Sequence, residues 1–289
     1  MAVLNQGPPF NLFGLECEYE RSKIAVLPVP YEGTVSYMPG TGFGPRAIID
    51  ASRNIELYSE ELKKDISKIG IYTLEEMLPN VSSPENMAKD VEREVDVILD
   101  EKKIPLILGG EHSISIGSVS AMAKHDKDFS VLHMDAHSDS RDTFMGSRYS
   151  HACVMRRLAE VPVDYYSVGV RSIDEEGDRD NANILFRKDM HMMGLDEIAE
   201  QISKKLKEKV YLTFDFDVLD PGEMPSVGTP EPDGISFYET TYILRKVLES
   251  KKLIGMDFVE LSPIHGFVAP DFLAAKLIYN VIGYAFCQL

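Results

Sequence analysis

Positive charge is what this chain most lacks. Against 47 Asp and Glu it carries 30 Lys and Arg, a formal net charge of −17. Sequence-independent nucleic-acid binding needs clustered Lys and Arg to displace counterions from phosphate, so that function is disfavoured and a cationic small molecule is the better partner. An acidic surface by itself often does no more than keep a protein soluble, so charge is a supporting observation only. Cysteine is also scarce: Cys17, Cys153 and Cys287 lie far apart with no Cys-x-x-Cys pair. That spacing disfavours a disulfide scaffold or a thiolate zinc site and fits a reducing compartment. No apolar run approaches the ~20 residues of a membrane span. Pro8, Pro9 and Glu16 stand where a signal peptide would need its apolar core. A cytoplasmic protein with no membrane or nucleic-acid partner is expected. Internal repeats and Pro, Gly or Ser blocks are missing too, and 44% hydrophobic with 27% charged residues is a globular composition.

A chain of 289 residues can bury a sizeable core. Short β-branched runs bounded by turn residues recur at Ile24 to Val29, Ile104 to Leu108, Ser130 to Met134, Tyr166 to Val170, Val210 to Phe214 and Leu253 to Val259. They read as buried strands. Pro84 after Ser83 opens a helical stretch reaching about Leu99, and Ser236 with Glu239 forms a capping box before Thr240 to Leu248. Pro45 and Pro270 suit first-turn positions of two more helices. Strands alternating with helices imply parallel pairing through crossovers, so residues 1–289 read as a single α/β domain. A (β/α) barrel is the second architecture, and both put their sites at the carboxyl ends of strands.

Three strand ends carry the chemistry. Val131-Leu132-His133-Met134 runs into Asp135, His137 and Asp139 at alternate positions, which share one face of an extended chain. Val210 to Phe214 runs into Asp215 and Asp217 in the same way, and Gly109-Gly110-Glu111-His112-Ser113 brings His112 past a third strand end. A lone Asp-x-Asp is ordinarily a turn or a helix cap, and a lone His is ordinarily inert. Several such groups at three strand ends would repel one another in a cleft unless a cation sat between them. Six candidate ligands exceed what one ion takes and suit two ions with bridging carboxylates. Oxygen and imidazole ligands without sulfur favour Mn²⁺, with Fe²⁺, Co²⁺ and Zn²⁺ open.

The strings Gly109-Gly110-Glu111-His112-Ser113, Asp135-Ala136-His137-Ser138-Asp139 and Phe214-Asp215-Phe216-Asp217-Val218-Leu219-Asp220-Pro221 closely resemble the ureohydrolases, the family of arginase and agmatinase. The likeness extends to Pro30-Tyr31-Glu32-Gly33-Thr34 and to Gly228-Thr229-Pro230-Glu231-Pro232-Asp233-Gly234, and so to nearly the whole chain. It implies a three-layer α/β/α fold with a central, mostly parallel sheet of about eight strands. It also implies two Mn²⁺ per chain, one held by His112, Asp135, Asp139 and Asp215, the other by Asp135, His137, Asp215 and Asp217. Two dications lower the pKa of a shared water from ~15.7 to roughly 7, and the hydroxide attacks the guanidinium carbon.

By the same resemblance Glu260 pairs with the guanidinium and His151 shuttles a proton to the leaving amine, an imidazole being able to give and take one near its ordinary pKa of about 6.5. Asp139 joins them in the catalytic set. Arginases read the α-carboxylate and amino group of arginine with a loop rich in Ser, Asn and Thr. Here Ser140 to Ser150 departs from that pattern and looks like agmatinase, which makes agmatine the favoured substrate, giving putrescine and urea. Aminopropylagmatine, guanidinobutyrate and arginine are alternatives; Arg141 and Arg148 can equally hold a carboxylate, as guanidinobutyrate requires. Trimers or hexamers are implied. A single-metal amine deacetylase of related fold and a catalytically silent relative are the readings from other classes; the six-ligand set speaks against the first, and His151 with Glu260 against the second. Cys153 reads as small packing filler, and His133 and Asp142 have no assigned role.

Overall fold

The computed structural model describes residues 9–175, 177 and 181–287. Its strands are β1 (Ile24–Val29), β2 (Tyr58–Ser59), β3 (Lys64–Asp65), β4 (Ile71–Thr73), β5 (Ile104–Gly109), β6 (Ser130–Met134), β7 (Asp164–Val170), β8 (Ile184–Phe186), β9 (Lys209–Asp215) and β10 (Lys252–Val259). Apart from the short β2–β3 hairpin they form one eight-stranded sheet, ordered β4-β1-β5-β10-β9-β6-β7-β8. Every neighbouring pair in it is parallel. The sheet is open, ending on β4 and β8, which corrects the barrel alternative. Both edges are three-residue strands.

Alternation along the strands assigns each side chain to a face. In β5, Leu106 and Leu108 join one core while Ile107 joins the other; in β9, Val210, Leu212 and Phe214 face away from Tyr211. The first face is covered by helices Gly44–Ser52, Leu195–Lys205, Phe237–Ser250 and Ala269–Phe286, the second by Pro84–Asp100, Ser115–His125 and Val154–Leu158. The result is the three-layer α/β/α arrangement. In Pro84–Asp100 the buried Met87, Val91, Val95 and Ile98 recur at helical spacing, each worth about 1.5–3 kcal/mol on burial. No helix among the described residues is long and apolar enough to cross a membrane.

Capping follows the sequence. Ser83 Oγ accepts from Asn86 N at 3.1 Å at the start of one helix. At another, Ser236 Oγ accepts from Glu239 N at 3.2 Å while Ser236 N donates to Glu239 Oε2 at 2.8 Å. Ser236→Ala is expected to lower stability by about 1 kcal/mol, seen as an earlier denaturant midpoint at unchanged slope; an unmoved midpoint would show that the box contributes nothing.

One glycine decides how the site is assembled. Where β5 leaves the sheet, Gly110 N donates to Val29 O at 2.8 Å and Glu111 N to Tyr31 O at 2.9 Å, so two chain segments pass in contact. A Cβ at Gly110 would lie 1.9 Å from the Tyr31 carbonyl oxygen, and no side chain fits there.

Candidate active site

Four neighbouring strands in the middle of the sheet, β5, β10, β9 and β6, end at one edge, and the candidate groups follow them. His112 comes after β5, Glu260 after β10, Asp215 and Asp217 from β9, and Asp135, His137 and Asp139 after β6. The carboxylates fix their own turns: Asp135 Oδ1 accepts from His137 N at 2.5 Å, and Asp215 Oδ1 from Asp217 N at 2.8 Å. Asp217 Oδ1 accepts from Ala136 N at 3.0 Å, tying the β9 end to the β6 end. With Oδ1 of each so engaged, Oδ2 of each faces the cleft, that of Asp135 also meeting His133 Nε2 at 2.8 Å.

There the six residues meet. His112 Nδ1 lies 3.1 Å from Asp135 Oδ2, 3.2 Å from Asp139 Oδ2 and 3.3 Å from Asp215 Oδ2. His137 Nδ1 lies 2.7 Å from Asp217 Oδ2 and 3.5 Å from Asp135 Oδ1. Asp139 and Glu260 reach these positions through left-handed backbone, φ 46° and 67°, a conformation that non-glycine residues adopt against a steric penalty and that recurs at functional sites.

Whether these groups suit a metal is decided at His112. Thr213 Oγ1 donates its single proton to Asp257 Oδ1 at 2.6 Å, so at 2.9 Å from His112 Nε2 it can only accept. In the neutral imidazole the ring proton is thereby held on Nε2, so Nδ1, buried and facing three carboxylate oxygens, is the nitrogen that binds a cation, whether a proton or a metal ion. A lone pair among anions calls for a cation. Titration tells the same story. Burial, then Asp217 and Asp135, push the Asp215 carboxyl well above its usual range. Burial and Asp135 raise that of Asp217. Burial works against Asp135 also, yet His133, His112 and His137 hold it well below. Against burial, the surrounding carboxylates raise His112 well above an ordinary imidazole and lift His137 to about 12. These opposed shifts mark a cluster that calls for positive charge, which protons or divalent ions can supply. Residues and geometry therefore fit divalent ions, and Thr213→Val is expected to weaken metal retention about 10- to 100-fold. A chelator-competition titration would show it, and unchanged competition would remove Thr213 from the support of His112.

The cluster opens into a cavity of about 170 Å³ whose walls include Glu260, His151, Ser36, Tyr37, Phe144 and Thr229. Glu260 Oε1 accepts from His112 N at 2.6 Å. Burial and Glu111 push its carboxyl well above the usual range, as expected for an acid awaiting a cationic partner. His151 packs edge-on to Phe144, their ring centres 5.7 Å apart.

The residues that sequence left without a role now have surroundings. His133 is fully buried; its Nε2 holds Asp135 Oδ2 at 2.8 Å, and Ser167 Oγ anchors the ring at Nδ1 at 2.9 Å. Asp142 belongs to a surface ion cluster with Arg157 at 2.5 Å and Arg148 at 3.3 Å, and Arg148 also reaches Glu160 at 2.9 Å. Arg141 does line the cavity, paired with Asp174 at 3.3 Å. Cys153 is fully buried, and burial pushes its thiol up to about 11, the wrong direction for a nucleophile.

Sequence reasoning missed Arg171. Its guanidinium donates to the carbonyls of Asp217, Glu231 and Pro232 at 2.7, 3.0 and 2.8 Å, lashing the β9 end to the loop that carries Gly228 and Thr229. It also missed Glu111 and Thr34: Thr34 contacts His151 and donates its hydroxyl proton to Glu111. The Gly33-Thr34 string carried a family likeness but no pattern that names a partner 77 residues away.

Comparison with known proteins agrees with this architecture. Residues 22–283 match the model of the arginase family. An N(1)-aminopropylagmatine ureohydrolase of Synechocystis sp. is 37% identical over 279 residues, covering 92% of this chain and 90% of the relative. An agmatinase of Halalkalibacterium halodurans is 33% identical, with 86% of each chain covered. Among solved structures, the agmatine ureohydrolase of Thermoplasma volcanium superposes with a TM-score of 0.85 at 33% identity, covering 93% of this chain and 92% of that one. The chain belongs to the arginase family and is a ureohydrolase.

Proposed function

We propose that this ureohydrolase cleaves the guanidino C–N bond of a decarboxylated arginine derivative, using two Mn²⁺ ions per chain, and releases urea and a polyamine. His112, Asp135, Asp139 and Asp215 would hold one ion, and Asp135, His137, Asp215 and Asp217 the other. The observation that carries the reading is that one cavity joins this cluster to Glu260 and His151. When bound, the ions supply activation of water near neutral pH.

The chain's own residues do the remainder. Guanidinium is a poor electrophile, and the Glu260 carboxylate fixes its plane through charge-assisted hydrogen bonds worth about 1.5–3 kcal/mol each. As the carbon gains an oxygen and loses its substituted nitrogen, that nitrogen must be protonated to leave as an amine. His151 delivers the proton.

For the substrate, the sequence reading put agmatine first. The relatives' names support agmatine and N(1)-aminopropylagmatine together, and the higher identity of the Synechocystis protein moves the aminopropyl trication ahead. A net charge of −17 suits a polycation. Arginine and guanidinobutyrate need a cation for their carboxylate, and Arg141 is paired with Asp174. The proposal includes a trimeric or hexameric assembly, read by light scattering, and a cytoplasmic location. Urea release from the four compounds with added Mn²⁺, compared by kcat/KM, tests it. The two agmatine compounds should lead, and a preference for either carboxylate-bearing substrate would reverse the assignment.

A further inference from the structure

Glu111 is a fully buried carboxylate outside the metal cluster, and four neutral donors converge on it. Oε2 accepts from Gly33 N at 2.9 Å and Thr34 N at 2.6 Å; Oε1 accepts from the hydroxyls of Thr34 and Ser113, each at 2.6 Å. Two of those bonds pin the backbone of the loop whose next residues, Val35, Ser36 and Tyr37, wall the cavity. The Thr34 hydroxyl then turns the clamp toward His151.

A hydroxyl has one proton and two lone pairs. The proton of Thr34 is given to Glu111. One lone pair receives the His151 backbone N–H at 3.0 Å, and the other faces His151 Nδ1 at 3.2 Å. With no proton left to give, Thr34 requires that Nδ1 be the donor. Ser150 Oγ also lies 3.3 Å from Nδ1, but its hydroxyl is free to turn and imposes no choice. A neutral imidazole protonated on Nδ1 is bare on Nε2, the nitrogen 3.5 Å from Ser36 Oγ on the cavity wall.

We propose that Glu111 and Thr34 are positioning residues that fix the tautomer and orientation of His151, so that its proton traffic passes through Nε2 facing the cavity. This rests on the assignment of His151 as the proton carrier. Neither residue touches substrate; the hydrogen bond works through the ring it holds.

A double-mutant cycle on the Mn²⁺-loaded enzyme tests it. Thr34→Val preserves shape and removes the hydroxyl, and is expected to lower kcat about 10- to 100-fold with KM and metal content unchanged. Thr34→Ser restores the hydroxyl and should recover most of the rate. In a His151→Asn background, itself expected to be slower by about 10²- to 10⁴-fold, Thr34→Val should cost nothing further, because the two losses are one loss. Equal losses in both backgrounds would show that Thr34 merely orders its loop and would overturn the proposal, as would a Thr34→Val enzyme at full rate while His151→Asn is slow. Full activity of His151→Asn is a different failure, that of the proton-carrier assignment beneath. Should Thr34→Val lose metal or fail to fold, Thr34→Ala enters the same cycle with the same expectations.

Discussion

Asp215→Ala is expected to abolish metal retention and urea release together, with activity falling by more than about 10³-fold. Asp215 sits between His112, 3.3 Å from its Oδ2, and Asp217, whose backbone N–H its Oδ1 accepts at 2.8 Å. On the proposed ligand set, its loss would strip a shared ligand and loosen the turn that aims a second one. The metal-free proteins should behave in the opposite sense. Burial with Asp217 and Asp135 disfavours the charged form of Asp215, so metal-free Asp215→Ala should melt no lower than metal-free parent. Only the parent should then gain in Tm on adding Mn²⁺, by ligand linkage. A variant that keeps both ions and full activity contradicts the bridging role, and one that melts far below the metal-free parent shows a folding defect instead.

For Glu260→Gln the expected loss is selective. The amide oxygen can still accept from His112 N, now at 2.6 Å from Oε1, so the β10 end and the metal ligands should stay in place. The other amide atom is a donor, and it would meet the donor N–H groups of a guanidinium. Losing one charge-assisted bond and opposing two donors predicts a fall of about 10²-fold or more in kcat/KM at unchanged metal content. Undiminished kcat/KM would take Glu260 out of substrate binding. A loss of metal in step with activity would make it a support of His112 rather than a partner of the substrate.

Much of this was legible before any coordinates. β1 and β6 span the predicted residues, β5, β7 and β10 differ from prediction by one or two residues at one end and β9 by one at each end, because a strand buried on both faces is a continuous apolar run with few competing readings. The acids of the cleft were visible because they follow apolar strands at alternate positions, but they converge through a 3-10 turn at Phe216–Val218 and left-handed backbone at Asp139 rather than through continued extended chain. Four things were hidden. β4 and β8 are three-residue edge strands, too short to show a period. The helix Ser115–His125 buries Ser115 to Val119 and Ala121 to Ala123, so it has no polar stripe to reveal its helical spacing. Open sheet and barrel share one local pattern, and only the failure of β4 to meet β8 separates them. The Glu111–Thr34–His151 chain was hidden for another reason: it links three distant segments through a hydroxyl, and no local pattern records which way a hydroxyl gives its proton.

The central claim is that side chains from three strand ends form one site for a pair of divalent ions. Equilibrium dialysis of the purified chain against Mn²⁺, with metal counted by elemental analysis, tests that claim most directly. Two ions per chain at saturation, falling as urea release falls on chelation, is the expected result. Saturation at a single ion, or urea release that survives complete removal of metal, would contradict it.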